Sequence, residues 1–130
     1  MSQPAHAVVE FREGLPGFEA CRQFVILSGP AVEPFTIVQG LGPDAPAFAA
    51  IDPLRVVDGY RARLEPADLA RLGAADATPL VFLALVSAQP SGRATVNLRA
   101  PLVINPETLR GIQLLGAESA HAVDHPLRAA

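Results

Sequence analysis

Residues Leu80–Val86 read "LVFLALV", seven apolar residues with no polar position at either parity. A strand with one wet face alternates, and this run does not. It is far too short to span a bilayer as a helix. At this length it reads as a central strand buried on both faces, or as one crossing a barrel. The rest of the chain must therefore supply cover for two faces of one strand.

Upstream, the pattern is of short strands punctuated by turns. Val8–Phe11, Gln23–Ser28 ("QFVILS"), Pro34–Leu41 and Ala47–Ile51 are rich in β-forming residues. Gly29-Pro30, Gly42-Pro43 and Asp52-Pro53 stop three of them. Tyr60–Leu64 alternates, with Tyr60, Ala62 and Leu64 opposed by Arg61 and Arg63, as in a half-buried strand. The period then changes. "PADLARL", residues 66–72, has proline suited to the first helical position, Asp68 in the first turn, and Leu69 and Leu72 three apart. Gly73 can end the helix in the left-handed conformation. So short a helix cannot hold itself in water, so both leucines must dock on the sheet.

Downstream, "SAQPSG" (87–92) is a loop. Ala94, Val96 and Leu98 oppose Thr95, Asn97 and Arg99, so Arg93–Ala100 is expected to be half buried. Pro101 permits a bend before a further strand, Leu102–Asn105; Arg110–Leu115 is the last one expected, and "AVDHPL" in the tail can dock. The sum is eight or nine short strands and one short helix over residues 1–130, taken as one domain. The expected fold is all-β: a small antiparallel β-barrel-like closed sandwich.

Composition agrees. Half of the residues are hydrophobic and 18% are charged, which suits a folded core rather than a disordered chain. Thirteen prolines and ten glycines are spread along the chain, a habit of proteins built from many short strands. The net charge is −3 and every basic residue is arginine, scattered among acids. Nothing concentrates positive charge on one stretch, which speaks against direct nucleic-acid binding. Cys21 is the one cysteine, so no internal disulfide forms and a reducing, cytoplasmic setting is expected. The first residues carry no secretory pattern, and no membrane association is expected.

The search for chemistry yields little. His121 and His125 have the spacing of two metal ligands on a helix, but Pro126 disfavours the helix and no cluster completes a site, so no metal is expected. Cys21 reads as a small hydrophobe. No phosphate loop, dinucleotide fingerprint or nucleophile elbow occurs, so no cofactor and no catalytic residue are assigned. In "EGLPGFE" (13–19), Pro16 and Gly17 suit the centre of a type II turn. Leu15 and Phe18 would then both reach the core. Glu13 and Glu19 need not face each other. The acidic run Asp52, Asp58, Glu65 and Asp68 reads as a solvated face around a turn and a helix start, or as a contact face for a basic partner. A competing enzyme or small-ligand barrel would need a deep pocket holding Asp52 or Asp58 beside an arginine.

Several of these stretches together carry a resemblance. "EGLPGFE" (13–19), "AIDPLRVVDGY" (50–60), "DLARLG" (68–73), "TVNLRAPLVIN" (95–105) and "HPL" (125–127) resemble, in order, motifs of the flagellar assembly factor FliW family. The resemblance implies a small, non-enzymatic, barrel-like bacterial protein of the cytoplasm, monomeric when unbound. It implies two alternating partners: flagellin, and the translational regulator CsrA, whose repression of flagellin mRNA is relieved on binding. A net-acidic chain suits a basic regulator. Asp52, Asp58, Glu65 and Asp68 are the candidate contact residues, with Asn97 and Arg99 as a second face. The sequence departs from the family at Arg12, where proline is common, and at Asp124, where a basic residue is common. Only about a dozen residues precede "EGLPGFE", so a truncated first hairpin is expected.

Overall fold

The computed structural model of the chain describes residues 5–115 and 120–127; the tail residues 116–119 lie outside them. Eight strands appear among these: β1 (Ala5–Glu10), β2 (Gln23–Ser28), β3 (Phe35–Gly40), β4 (Ala47–Ile51), β5 (Val81–Ala88), β6 (Ala94–Asn105), β7 (Arg110–Gln113) and β8 (His125–Leu127). The helix α1 is Pro66–Leu72, and a single 3-10 turn covers Pro53–Arg55. Strands β1 to β5 pair in succession, β5 pairs with β6, β6 with β7, and β7 returns to β1. Seven strands thus close a barrel, and β8 lies outside the ring on β6. Every pairing is antiparallel except the closing one, where β1 meets β7 in parallel at the single pair Glu10↔Arg110. The antiparallel expectation holds except at this seam. The first hairpin is not truncated: β1 and β2 pair over six residues.

The barrel explains the two-faced run at 80–86. Leu83 joins Val9, Phe11, Phe24, Val38, Ala50, Leu102 and Ile104 in the interior cluster, with Leu85 packed against it. Ala84 and Val86 belong to a second cluster with Tyr60, Val96 and Leu98, and Phe82 packs on a third around Leu72, Val103, Ile112 and Leu114. Those outer clusters are covered by the long β4–β5 connection, which carries Val56, Val57, Ala62, Leu64 and α1. One parity of β5 faces in and the other lies beneath this connection. Within the 80–86 run only Val81 is exposed, at 43%, and the strand's far end, Ser87 and Ala88, is exposed as well.

The helix forms where expected. Pro66 opens it, Asp68 Oδ2 accepts from the Glu65 backbone N–H at 2.8 Å, and Gly73 closes it at φ 63°. Leu72 is fully buried. The buried Asn105 holds the helix end down, its Nδ2 donating to Leu72 O at 2.9 Å while Thr108 Oγ1 donates to the same carbonyl at 2.8 Å. Where Gly111 passes under the interior, a Cβ would meet the Phe11 ring at 2.5 Å.

Four expectations need correction. Tyr60–Leu64 is not a strand. Its burial alternates as predicted, but the segment lies against the barrel with no ladder partner among the described residues. Period two reports one-sided burial, and a ladder also needs a neighbouring strand within hydrogen-bonding distance. Phe18 does not enter the core. The turn forms, with Phe18 N donating to Leu15 O at 2.7 Å and Gly17 at φ 85°, and Leu15 is buried. Phe18, however, is 43% exposed and only edges onto Phe48. The last barrel strand stops at Gln113, leaving Leu115 largely exposed. Finally, Arg93–Ala100 and Leu102–Asn105 are one strand, β6, with a bulge rather than a break.

Candidate partner-binding surface

The bulge decides what "NLRAP" does. Leu85 pairs with Asn97 and Leu83 with Leu102, so residues 98–101 of β6 have almost no place on β5. Their backbone groups are satisfied elsewhere. Asn97 Oδ1 accepts from Arg99 N at 3.1 Å and from Ala100 N at 3.0 Å. Leu98 N donates to Ala122 O at 2.9 Å, and Pro101 has no N–H to satisfy. Tyr60 Oη donates to Leu98 O at 2.7 Å, and Gln113 Nε2 to Ala100 O at 3.0 Å. Arg99 Nε donates to His121 O at 2.9 Å, tying down the tail. Asn97 and Arg99 thus lie half-exposed on the face opposite the buried Val96 and Leu98, as the sequence suggested, but both side chains are engaged with their own chain. Burial pushes the Tyr60 phenol up to about 12. The His121 ring stacks on Tyr60 at 4.6 Å, and its Nε2 lies 2.9 Å from Arg61 O. His125 sits in β8 opposite Val96, so the two tail histidines serve different contacts.

Of the four acids only Glu65 and Asp68 come together, at the start of α1. Asp52 caps the 3-10 turn, Oδ1 accepting from Leu54 N at 3.0 Å. Asp68 is held by the helix start and by Arg71, whose Nη1 also reaches Glu13 Oε1 at 2.6 Å. That bridge ties the "EGLPGFE" loop to α1. The other carboxylate of the motif, Glu19, accepts from Gly17 N at 3.0 Å, which holds it below the usual carboxylate range. Glu65 pairs with the exposed Arg63 at 3.2 Å. Asp58 is exposed in the turn before Tyr60 and makes no hydrogen bond or ion pair among the described residues.

Two open grooves flank the Tyr60–Ala62 arm. One brings Glu65, Asp68 and Arg99 onto a shared polar wall. The other, of about 500 Å³, is mainly apolar and runs between the arm, Leu54 and Leu80–Leu83, with Asp52 and Arg61 as its only charged residues. Asp52 therefore does share a groove with an arginine, as the competing enzyme reading required. The groove is on the outside of the barrel, however, and its one carboxylate is engaged as a cap. No second carboxylate converges on it for acid–base work. No described residues form a group of three metal-ligating side chains. Leu54 and Val81, 56% and 43% exposed, were not singled out from sequence; the unpaired alternation at 60–64 was the available signal.

Comparison with known proteins follows this geometry. The model of the family described as FliW protein matches residues 2–127. The chain belongs to the FliW family. A flagellar assembly factor FliW from Natranaerobius thermophilus is 32% identical over 122 residues, covering 92% of this chain and 81% of that protein. One from Anoxybacillus flavithermus is 33% identical, covering 93% and 83%. A crystal structure of the flagellar assembly factor FliW superposes with a TM-score of 0.81 at 28% identity, covering 92% of this chain and 84% of that one. The FliW barrel, closed by seven strands with one short helix, is thus the fold seen here.

Proposed function

We propose that this FliW-family chain is a cytoplasmic, non-enzymatic flagellar assembly factor that works by exchanging protein partners. Residues 1–130 act as one domain, monomeric until a partner binds. The partners are flagellin and a CsrA-type translational regulator, whose repression of flagellin mRNA is relieved when the chain binds it. The family match over residues 2–127 carries this reading. The filled aliphatic interior supports it, since the polar side chains near the bulge and helix are engaged in the fold.

Calorimetry of the purified chain with the flagellin and the CsrA of the same bacterium tests it. A complex with each at tens of micromolar or tighter is expected; no heat with either defeats the proposal. Among the acids, Asp58 gives the clean probe because its charge is not used internally. Asp58→Lys is expected to weaken the complex with the basic regulator by about threefold to tenfold and to flatten its salt dependence, leaving thermal stability unchanged. Unchanged affinity would exclude this turn from the contact. Asp68→Lys is a poor substitute, since it also removes the partner of Arg71 and of the Glu65 N–H.

A further inference from the structure

The apolar groove is bounded on one side by a strand edge that the barrel leaves open. The last β4–β5 pair is Ile51↔Ala84, after which β4 turns away into Pro53–Arg55. Val81, Phe82 and Leu83 pair with β6 on one side and, among the described residues, have no strand on the other. Across the groove, Tyr60–Ala62 belongs to an arm with strand-like burial and no ladder partner among the described residues. The exposed side chains of Leu54 and Val81 lie at this same groove. An unpaired edge beside exposed apolar side chains is the geometry that accepts an added strand.

We infer that the complex forms by strand addition: an extended apolar segment of the partner protein pairs with the Val81–Leu83 edge of β5. Backbone pairing selects an extended polypeptide. The two charges in the groove, Arg61 and the Asp52 oxygen not used by the Leu54 N–H, favour a segment that carries both an acidic and a basic residue. Leu54 and Val81 receive the alternate apolar side chains. This inference names the binding mode of the proposed partner exchange and rests on that reading.

Amide hydrogen exchange of the full chain tests it, alone and with each partner. A second probe is a blocked hexapeptide: lysine, two valine–threonine repeats, then glutamate, with a copy N-methylated at both valines as control. Slowing by at least tenfold of the Val81–Leu83 amides that face away from β6, with a bound partner, supports strand addition; slowing with the peptide but not with the methylated copy shows that the edge itself accepts a strand. Leu54→Glu and Val81→Glu, both at exposed positions, are expected to weaken that binding at least tenfold. If a partner binds by calorimetry and these amides are unchanged, strand addition is wrong and the partner reading stands. If neither partner binds but the peptide protects the edge, the partner reading falls and the edge site stands. If neither partner nor peptide protects it, the inference falls. Protection already present in a chain that sediments as a dimer would make a second copy the occupant, and would also overturn it.

Discussion

Asn97 illustrates how a residue that reads as surface chemistry becomes backbone support. Its carboxamide accepts from two N–H groups that the bulge has taken from the ladder. Asn97→Ala is expected to cost about 1–3 kcal/mol in urea unfolding, because both donors lose their partner. Asn97→Asp keeps the acceptor and should recover most of the loss. Tyr60 offers a second test and, as the chain's only tyrosine, reports on itself. Its phenol is held at about 12 by burial, against 10.0 when free. The unfolded chain therefore loses its proton first, so stability is intact below pH 10 and falls as pH rises towards 12. The slope is about 1.4 kcal/mol per pH unit for one proton. Tyrosinate absorbance of the folded chain should appear only near the upper end of that window. Ionisation near pH 10 with the fold intact would contradict the buried hydrogen bond to Leu98.

Elements were readable where punctuation residues fixed their ends. Strands β2 and β4 and helix α1 form over the stretches that Gly, Pro and Asp mark off. The arm at 60–64 was readable as half buried and unreadable as unpaired, because periodicity carries no information about neighbours. The candidate site was less readable still. The acids were visible as carboxylates, but folding alone decides that Asp52 and Asp68 each cap a turn or helix start while Asp58 has no partner among the described residues. Exposure at Leu54 and Val81 follows from β4 turning away, which residue types do not encode. The β4–β5 connection is itself fastened mainly by Leu72, which sits among Val103, Ile112 and Leu114. Leu72→Ala is expected to destabilise by about 2–5 kcal/mol. It should also loosen the arm, and faster exchange of α1 amides than of β2 amides in the variant would show this.

At the scale of the whole molecule, the barrel is a ring with one weak joint. Six of its seven junctions are antiparallel, and the seventh is a single parallel pair backed by Glu10 N donating to Leu109 O at 2.9 Å. The Glu13–Arg71 bridge clasps the same corner from outside, at exposed positions where an ion pair adds little. Native-state exchange should therefore find the Glu10 amide opening locally, well below the free energy needed for Val25–Leu27. Arg71→Ala should speed Glu10 further without altering those β2 amides. Equal rates at both places would put the joint inside the globally cooperative unit.

The same joint sets a schedule for the chain as it is made. β1 is synthesised well before its second neighbour: Arg110 follows Glu10 by a hundred residues. At about 5–20 residues per second, that interval lasts roughly 5–20 s. During it, the β1–β2–β3–β4 sheet can form as a nascent meander, but with the outer edge of β1 uncovered and the future barrel interior open to water. A barrel closed in this order therefore presents an unpaired strand edge for all of that interval, until β7 arrives to cover it.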